Sequence, residues 1–450
     1  MGGPEMAPQT PQRSSRPGQA VARLDSQRDA ARAIWEAALA AGDVVPLVQR
    51  ALDQHASQLV SRSGHRLHVF GCGKASGAMA AALEQALGDR IADDGLVVVK
   101  DGYTVRTERI ELREAGHPVP DARGQAAAEA IVERARGAGA EDLVIFLVSG
   151  GGSALTPAPT PPITLAEKQE TTRLLLGAGA TINELNAVRK HLSRFKGGQL
   201  ARAAAPATVV SLILSDVIGD PLDVIASGPT APDPSTFADA VTVLERRGVA
   251  DRVPRAVRTR LDAGARGEIA ETPKPGDALF ERVSNVVIGN NALVVDAAAA
   301  NARRLGYRAE ILTRALQGEA RDVARELIAR ARTLPPRTCL IAGGETTVTV
   351  RGGGRGGRCQ EFALAAALEL TPDDRLVVLA AGTDGTDGPT DAAGAVVDAT
   401  TVARGETAGR AARAALADND AYTFLAGAGD LVVTGPTNTN LLDVYLCLRE

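Results

Sequence analysis

Three aspartates stand close together in a turn-forming loop near the carboxyl end of the chain. Residues 376–391 read LVVLAAGTDGTDGPTD, an apolar run followed by Asp384, Asp387 and Asp391 among Gly, Thr and Pro. An open α/β sheet binds ligands beyond the carboxyl ends of its strands, and carboxylate oxygens suit Mg²⁺ better than a soft metal. We therefore predict that Asp384 and Asp387 hold Mg²⁺ directly or through water, and that Asp391 either supports this site indirectly or caps the turn. Asx turns, which Asp-Gly pairs often form, are the alternative.

Two Gly-rich loops in the first half of the chain follow predicted strands and have the composition of phosphate cradles. The first carries Lys74 into the first turn of a predicted helix, where the macrodipole disfavours a cation unless an anion offsets it. The second places three consecutive glycines after a buried strand, which forms a concavity of backbone N–H groups. Ordinary strand-to-helix turns are the alternative. The predicted phosphate-binding residues of these loops are Gly71, Gly73, Ser149, Gly150, Gly151, Gly152 and Ser153.

A third Gly-rich run, Gly352–Arg358, reads GGGRGGR. Glycine on both sides of an arginine removes side-chain bulk, so Arg355 and Arg358 can clamp a phosphoryl group bidentately. Glu345 follows a predicted strand and can orient Arg358 or contact the substrate. A mobile surface hairpin is the alternative.

Other charged residues lie near the ends of predicted elements. A helix predicted over 181–204 would place Arg189 and Lys196 on one face, as a substrate contact and a phosphate contact, although a solvated basic face is the alternative. Asp216 or Asp220, in the acidic loop after a strand, could take a proton from a substrate hydroxyl. His117, just before a proline, is a further candidate for substrate contact.

These residues need a scaffold, and the apolar runs supply one. Strands predicted at 66–70, 95–99, 143–148 and 208–214 alternate with helices, which predicts a mostly parallel sheet with functional loops along one edge. A chain of 450 residues favours two or three domains. We predict a disordered N-terminus at 1–23, a first domain at 24–262, a linker at 263–282 and a second domain at 283–450.

Composition excludes several classes of protein. A formal net charge of -4 and 3% aromatic residues are unlike a nucleic-acid-binding protein. No apolar run is long enough to span a bilayer, so no membrane partner is expected. The cysteines are scattered without metal-ligand spacing, which indicates free thiols and a cytoplasmic location.

One alternative is a dinucleotide-binding reductase. Gly71, Gly73 and Gly77 approach the spacing of the dinucleotide fingerprint, with Asp93 or Asp94 about twenty residues further on. Lys74 is not part of that fingerprint, and the later Gly-rich and acidic loops would have no role. An NAD(P)H-dependent enzyme therefore remains the runner-up to a phosphoryl-transfer enzyme, which needs positioning and charge neutralisation more than a nucleophile.

Long motifs in this sequence resemble those of the glycerate 2-kinase family, whose members are also often labelled hydroxypyruvate reductases. The motifs are FGCGKASGAMA (70–80), EAGHPVPD (114–121), LVSGGGSAL (147–155), NAVRKHLSRFKGGQLA (186–201), SDVIGDPLDVIASGPTAPDPSTF (215–237), GGETTVTVRGGGRGGRCQEFAL (343–364), GTDGTDGPTDAAG (382–394) and TGPTNTNLLDV (434–444). The resemblance implies an N-terminal Rossmann-like domain with a mostly parallel three-layer sheet, a C-terminal α/β domain with a mixed sheet, and an active site in the cleft between them.

The resemblance also implies ATP-dependent, Mg²⁺-assisted phosphorylation of D-glycerate at its 2-hydroxyl, giving 2-phosphoglycerate. It assigns catalytic importance to Lys74 and Arg358. The chain departs from the family pattern at Cys359, where the family has Asn, and at Asn438, where the family usually has Gly. Neither departure touches a residue predicted to be catalytic. A catalytically inert nucleotide-binding protein remains a third possible function class. Separately, a homodimer is a possible oligomeric state.

We combine these observations in one mechanistic hypothesis. Lys74 and Arg358 neutralise the transferring phosphoryl group, and the loop 149–153 cradles phosphate or the glycerate carboxylate. Asp216 is the first candidate for the base, and Asp220 remains the alternative. The hypothesis requires the Lys74 loop of the first half to face the Asp384 loop of the second half.

Overall fold

The computed structural model describes residues 17–55 and 66–450, which fold into two six-stranded sheets with helices on their faces. The strands of the first sheet are β1 (Leu67–Cys72), β2 (Leu96–Lys100), β3 (Glu111–Ala115), β4 (Leu143–Val148), β5 (Thr208–Leu214) and β6 (Val283–Gly289). Those of the second are β7 (Arg308–Leu316), β8 (Thr338–Gly344), β9 (Leu376–Gly382), β10 (Gly394–Asp398), β11 (Leu431–Val432) and β12 (Asp443–Arg449).

The helices fill the connections between these strands. They are α1 (Pro17–Ala41), α2 (Val44–Gln54), α3 (Ser76–Leu87), α4 (Ala122–Arg136), α5 (Gly152–Leu155), α6 (Leu165–Gly177), α7 (Ile182–His191), α8 (Gln199–Ala204), α9 (Phe237–Arg246), α10 (Arg255–Ala265), α11 (Asn291–Arg304), α12 (Ala320–Arg332), α13 (Arg358–Glu369), α14 (Thr401–Thr407), α15 (Ala412–Ala417) and α16 (Ala421–Ala428).

The first sheet is parallel throughout, in the order β3-β2-β1-β4-β5-β6. The strand order reverses direction between β1 and β4, and in an open parallel sheet the crevice at that point binds the ligand. Strands β1 and β4 are buried along their whole length, as expected for apolar runs covered on both faces. The loops of Lys74 and Ser149 therefore start at the switch point.

The second sheet is mixed, in the order β11-β10-β9-β12-β8-β7. Only β7 and β8 run parallel, and the remaining neighbours are antiparallel. The prediction of an α/β fold with a mostly parallel first sheet and a mixed second sheet is confirmed.

One hydrophobic core lies between the two sheets and joins them. Alternate residues of β1 divide between two cores, with Val69 in the shared core and Phe70 in the core on the outer face. Ile341 on β8 and Leu379 on β9 enter the shared core from the second sheet, together with Trp35 on α1. Because buried apolar surface stabilises both sheets through the same core, the loops at their edges are held in a defined relation.

Three predicted boundaries differ from the structure. Strand β6 pairs with β5, so residues 283–289 extend the first sheet although the linker prediction assigned them to the second domain. Helix α1 begins at Pro17, inside the segment predicted to be disordered, and residues 1–16 lie outside the described residues. The helix predicted over 181–204 is two helices, α7 and α8, because Gly197 and Gly198 adopt positive φ between them.

Candidate functional site

The Lys74 loop and the Ser149 loop are hydrogen-bonded to each other at the edge of the first sheet. The amide of Lys74 donates to the Gly150 carbonyl at 2.9 Å, and the amide of Ala75 donates to Ser149 Oγ at 3.0 Å. Gly73 has a φ of +136°, and a Cβ there would lie 2.1 Å from Ser149 Oγ. Only glycine fits this approach, so the sequence places Lys74 at the switch point through Gly73.

Arg358 occupies the corresponding edge of the second sheet, at the N-terminus of α13. Its Nε and Nη2 donate to the two carboxylate oxygens of Asp443 at 2.6 and 2.9 Å, and its Nη1 lies 2.9 Å from Glu345 Oε1. Asp443 opens β12 opposite Gly344 and Gly382, the last residues of β8 and β9. The carboxyl ends of two strands and the amino end of a third thus meet at Arg358.

The two edges face each other, as the hypothesis requires. Lys74 Nζ donates to Asp384 Oδ2 at 3.0 Å, with both side chains largely buried. Asp216, after β5 of the first sheet, accepts from Asn440 Nδ2 of the segment before β12 at 2.9 Å. The cleft between the sheets therefore holds cations and carboxylates from both halves of the chain.

Asp216 has the environment of a general base. A Cβ at Gly150 would lie 2.0 Å from Asp216 Oδ2, so the glycine lets the carboxylate enter the cleft. Burial raises the pKa of Asp216 to about 6, with Lys74 lowering it and Glu345 and Asp384 raising it. Its carboxylate is therefore mostly ionised at neutral pH and close to the pKa that suits proton transfer there. Asp220, the other candidate, instead accepts from Asn290 Nδ2 at 2.6 Å.

His117 lies beside the Gly-rich loop. A Cβ at Gly151 would lie 3.0 Å from its Cδ2 atom. Burial, together with the charges of Lys74 and Lys100, lowers the pKa of His117 to about 4. The imidazole is therefore neutral at pH 7 and is available to donate or accept one hydrogen bond at the cleft.

Ser153, at the end of the same loop, accepts hydrogen bonds from two of the predicted cationic residues. Arg189 Nη2 donates to Ser153 Oγ at 2.6 Å, and Lys196 Nζ donates to its carbonyl at 2.7 Å and to its Oγ at 3.0 Å. Lys196 is 0% exposed. The two cations converge because α7 and the turn before α8 both reach this loop, and not because they share one helical face.

Two predicted residues have different surroundings from those expected. Asp387 accepts from the amides of Cys359 and Gln360 at 3.2 and 2.8 Å, so both of its oxygens bind the first turn of α13. The Arg355 guanidinium stacks over the Tyr422 ring at 4.7 Å, on the exposed side of the Gly-rich run. The amides of residues 352–355 in that run bind residues 418–420, so they are not free to cradle a phosphate.

The carboxylates of the cleft bear directly on the Mg²⁺ prediction. Asp384 fits a direct contact, because its carboxylate lies in the cleft beside Lys74. Asp387 is the weaker candidate, because its side chain is 3% exposed and each of its oxygens accepts a backbone amide of α13. Within residues 17–55 and 66–450 no three acidic, His or Cys side chains are arranged to hold a metal ion by themselves. Magnesium in kinase sites is usually bound by one or two carboxylates plus substrate phosphates, and that arrangement needs no such cluster.

Sequence reasoning did not single out Asp443, Asn440 or Lys168. Asp443 had a signal, because a carboxylate that opens the apolar strand β12 must be paired when it is buried. Asn440 lies in the same quoted motif, but an amide in a polar loop carries no specific signal. The charged residues around Lys168 predict a solvent-exposed helix face, but the Lys168 side chain is only 5% exposed.

The dinucleotide fingerprint is not met. Its acidic residue belongs at the carboxyl end of the second strand, where it would bind a ribose hydroxyl. Asp93 and Asp94 precede β2 instead, and Asp101, which does follow β2, accepts two hydrogen bonds from Arg123 at 2.7 and 2.9 Å. Asp93 binds Arg109 at 2.7 Å, and Asp94 binds His68 Nδ1 at 2.7 Å.

Two expectations from composition concern membrane-spanning helices and the state of the cysteines. None of the helices in the described part of the chain is long and apolar enough to cross a membrane. The four cysteines are buried free thiols, as predicted.

Comparisons with known proteins place this geometry in context. Residues 30–262 match the family described as a domain of unknown function (DUF4147), and residues 338–443 match the MOFRL family. The chain is 43% identical to "Glycerate 2-kinase" of Pyrococcus horikoshii over 85% of its length and 87% of that protein. It is 43% identical to "Putative hydroxypyruvate reductase" of Agrobacterium vitis over 94% of each. The crystal structure of glycerate kinase from Thermotoga maritima superposes with a TM-score of 0.84 and 39% identity, covering 95% of this chain and 100% of that one.

Proposed function

Since this chain belongs to the glycerate kinase family and is an enzyme that phosphorylates glycerate, we propose that it transfers the γ-phosphoryl group of ATP to the 2-hydroxyl of D-glycerate. The product would be 2-phosphoglycerate, with Mg²⁺ entering together with the nucleotide. The contact that carries this proposal is the ion pair between Lys74 and Asp384, which joins the loops of the two sheets across the cleft.

Lys74 and Arg358 are the charge-neutralising groups of the proposed reaction. Phosphoryl transfer depends on positioning and on stabilising charge at the equatorial oxygens of the transferred group. Each of these cations is held in the cleft by a carboxylate, Asp384 for Lys74 and Asp443 for Arg358. A phosphoryl group that enters between them meets cations already oriented toward it, which lowers the cost of reorganisation in the transition state.

Asp216 takes the proton of the acceptor hydroxyl in this scheme. Asp216 lies beside Gly150 of the loop 149–153, and the charge of Lys74 lowers its pKa and so favours the ionised form. His117 is neutral and contacts the substrate or the loop by one hydrogen bond. Mg²⁺ would supply further charge neutralisation on the nucleotide phosphates, with Asp384 as its protein ligand.

The position of phosphorylation is tested by the product. The purified protein is incubated with D-glycerate, ATP and Mg²⁺, and ADP is measured together with the product's conversion by enolase, which accepts 2-phosphoglycerate and not 3-phosphoglycerate. ADP formation with full conversion supports the proposal. ADP formation without conversion places the phosphate on the 3-hydroxyl and contradicts it.

A parallel incubation tests reductase activity. Hydroxypyruvate and NADH replace glycerate and ATP, and NADH absorbance is followed. The structure favours no turnover, because Asp93 and Asp94 precede β2 and Asp101, the acidic residue that follows β2, is already paired with Arg123. NADH consumption at a rate equal to ADP formation would contradict the assignment of the cleft to phosphoryl transfer alone.

A further inference from the structure

A large cavity opens next to the Gly-rich loop 149–153 and is lined by residues between 117 and 189. It has a volume of about 700 Å³ and is bordered by His117, Gly151 and Ser153 at one end. Its wall includes Val119 and Leu176, which are exposed although they are large and apolar. Such apolar, exposed side chains in a concave site indicate a ligand that covers them.

Three cations border this cavity or stand directly behind it, and no carboxylate pairs with any of them in the described part of the chain. Arg189 and Lys196 bind Ser153, and Lys168 Nζ is buried without any hydrogen-bond partner there. The neighbouring Lys190 shows the contrast, because its buried ammonium binds Asp223 at 3.1 Å and Asp233 at 3.2 Å. A buried ammonium without a partner costs free energy that a bound anion would recover.

We propose that this cavity binds the nucleotide, with Lys168 and Arg189 contacting its polyphosphate and the apolar wall of Val119 and Leu176 covering its base. The assignment rests on the proposed function for its choice of ligand. Lys168 Nζ has no hydrogen-bond partner in the described chain and Arg189 binds only the uncharged Ser153, so neither charge is neutralised and the site suits a ligand of multiple negative charge.

Charge and size favour the nucleotide over the acceptor. Glycerate carries one negative charge and would leave most of the cationic cluster unpaired, whereas the polyphosphate of ATP carries several. A cavity of about 700 Å³ lies in the range of roughly 300–1,000 Å³ that suits drug-sized ligands, and glycerate would leave it mostly empty. Burial, together with the charge of Arg189, lowers the pKa of Lys168 to about 7. Lys168 is therefore only partly protonated at neutral pH, and a bound anion would favour its protonated form.

The cavity lies next to Lys74, because Gly151 borders both of them. A Cβ at Gly151 would lie 3.0 Å from His117 and 3.6 Å from Lys74 Cγ. A nucleotide whose base lies against the apolar wall and whose first phosphates contact Lys168 and Arg189 can extend its terminal phosphate past Gly151 to Lys74. Glycerate is then left to the opposite side of the cleft, near Arg358 and Asp216.

Lys168→Met tests the assignment, because methionine keeps the length of the side chain and removes its charge. Binding of the non-hydrolysable ATP analogue AMP-PNP with Mg²⁺ is measured by calorimetry without glycerate, and KM is measured separately for ATP and for D-glycerate. Arg173→Met is the matched control. Arg173 lies on the same helix, borders the cavity and loses the same charge, but it is exposed and already paired with Glu170.

We expect Lys168→Met to weaken AMP-PNP binding and raise the KM for ATP by about ten- to a hundredfold, the value of a lost charge-assisted hydrogen bond. The KM for D-glycerate should stay unchanged, and the control should stay within about twofold of wild type. The substitution should not lower the unfolding temperature without ligand, because it removes an unpaired buried charge. Lys168→Gln serves as a second variant if the Met protein does not fold.

Three results separate this inference from the proposed function. A raised KM for D-glycerate with unchanged AMP-PNP affinity overturns the inference, because the cavity would then hold the acceptor. Unchanged values for both ligands in a folded variant also overturn it, although glycerate kinase activity stands. Lys168-dependent AMP-PNP binding in a protein that forms no ADP from glycerate supports the inference and refutes the proposed function.

Discussion

The ion pair between Arg358 and Asp443 gives a prediction that can be worked out from the structure. Asp443→Asn keeps the shape of the side chain but leaves one acceptor oxygen and places an NH₂ group against the donors of the guanidinium. Asp443 is 1% exposed and Arg358 is 33% exposed. Breaking a buried pair costs about 3–5 kcal/mol. Partial solvation of Arg358 and its contact with Glu345 reduce this cost, so we expect the free energy of unfolding to fall by about 2–3 kcal/mol.

The same change should impair catalysis more than stability. Without two oxygens to hold it, the guanidinium turns toward Glu345 and leaves the place where the phosphoryl group passes. A displacement of about 1 Å in a positioning group costs roughly a hundredfold in rate. We therefore expect kcat to fall by about a hundredfold in a protein that is still folded at 25 °C.

Urea unfolding and steady-state kinetics on the same preparations measure both effects. Glu345→Gln is the control, because this partner contacts the same guanidinium but is 45% exposed, and an exposed pair contributes about 0–1 kcal/mol. A double-mutant cycle with Arg358→Met isolates the coupling between the two side chains. The reasoning fails if Asp443→Asn unfolds at the wild-type urea concentration and keeps turnover within about threefold of wild type.

Four further predictions concern single residues. Lys74→Met should lower kcat by about a thousandfold with an unchanged circular dichroism spectrum, since a charge-neutralising cation is lost; near-normal turnover would contradict its role. Wild type should lose kcat/KM as pH drops through about 6, where protonation disables the base, and Asp216→Asn should remove this dependence; a variant pH profile that keeps it would exclude Asp216. Asp387→Ala should lower stability by about 1–2 kcal/mol through loss of the α13 cap and leave the Mg²⁺ concentration for half-maximal rate unchanged; a strong rise in that concentration would instead show a metal ligand. Lys168 has a folded-state pKa of about 7, below the value in the unfolded chain, so the unfolded state binds more protons above pH 7; wild type should gain stability relative to Lys168→Met between pH 7 and 9, and equal slopes would contradict the lowered pKa.

Several features of the site could be predicted from local patterns. Lys74, Ser149, Glu345 and Asp384 each follow an apolar run closely, and the carboxyl ends of neighbouring strands share an edge of a sheet. Gly73 was recognisable because a close backbone approach excludes a side chain there. Such signals depend only on residues that are close in the sequence, so the sequence alone is enough to predict them.

Other roles could not be read in this way. Asp387 and Asp384 occupy equivalent places in the same turn, yet one caps a helix that starts at Arg358 and the other binds Lys74. Lys168 stands in a charged segment typical of a solvated helix face, and it is buried because neighbouring elements cover it. Residues 283–289 read as a strand, but nothing in them states which sheet they join.

The sequence by itself determined the strand and loop pattern, the α/β class and the family resemblance, because these follow from hydrophobic periodicity and from motifs of adjacent residues. Tertiary structure alone decided which charges are paired. Lys74 meets Asp384 across 310 residues of chain and Arg358 meets Asp443 across 85, whereas Lys168 meets no carboxylate in the described chain. The free energy of a charge depends on its burial and its partner, and both are set by which distant segments the shared core brings together.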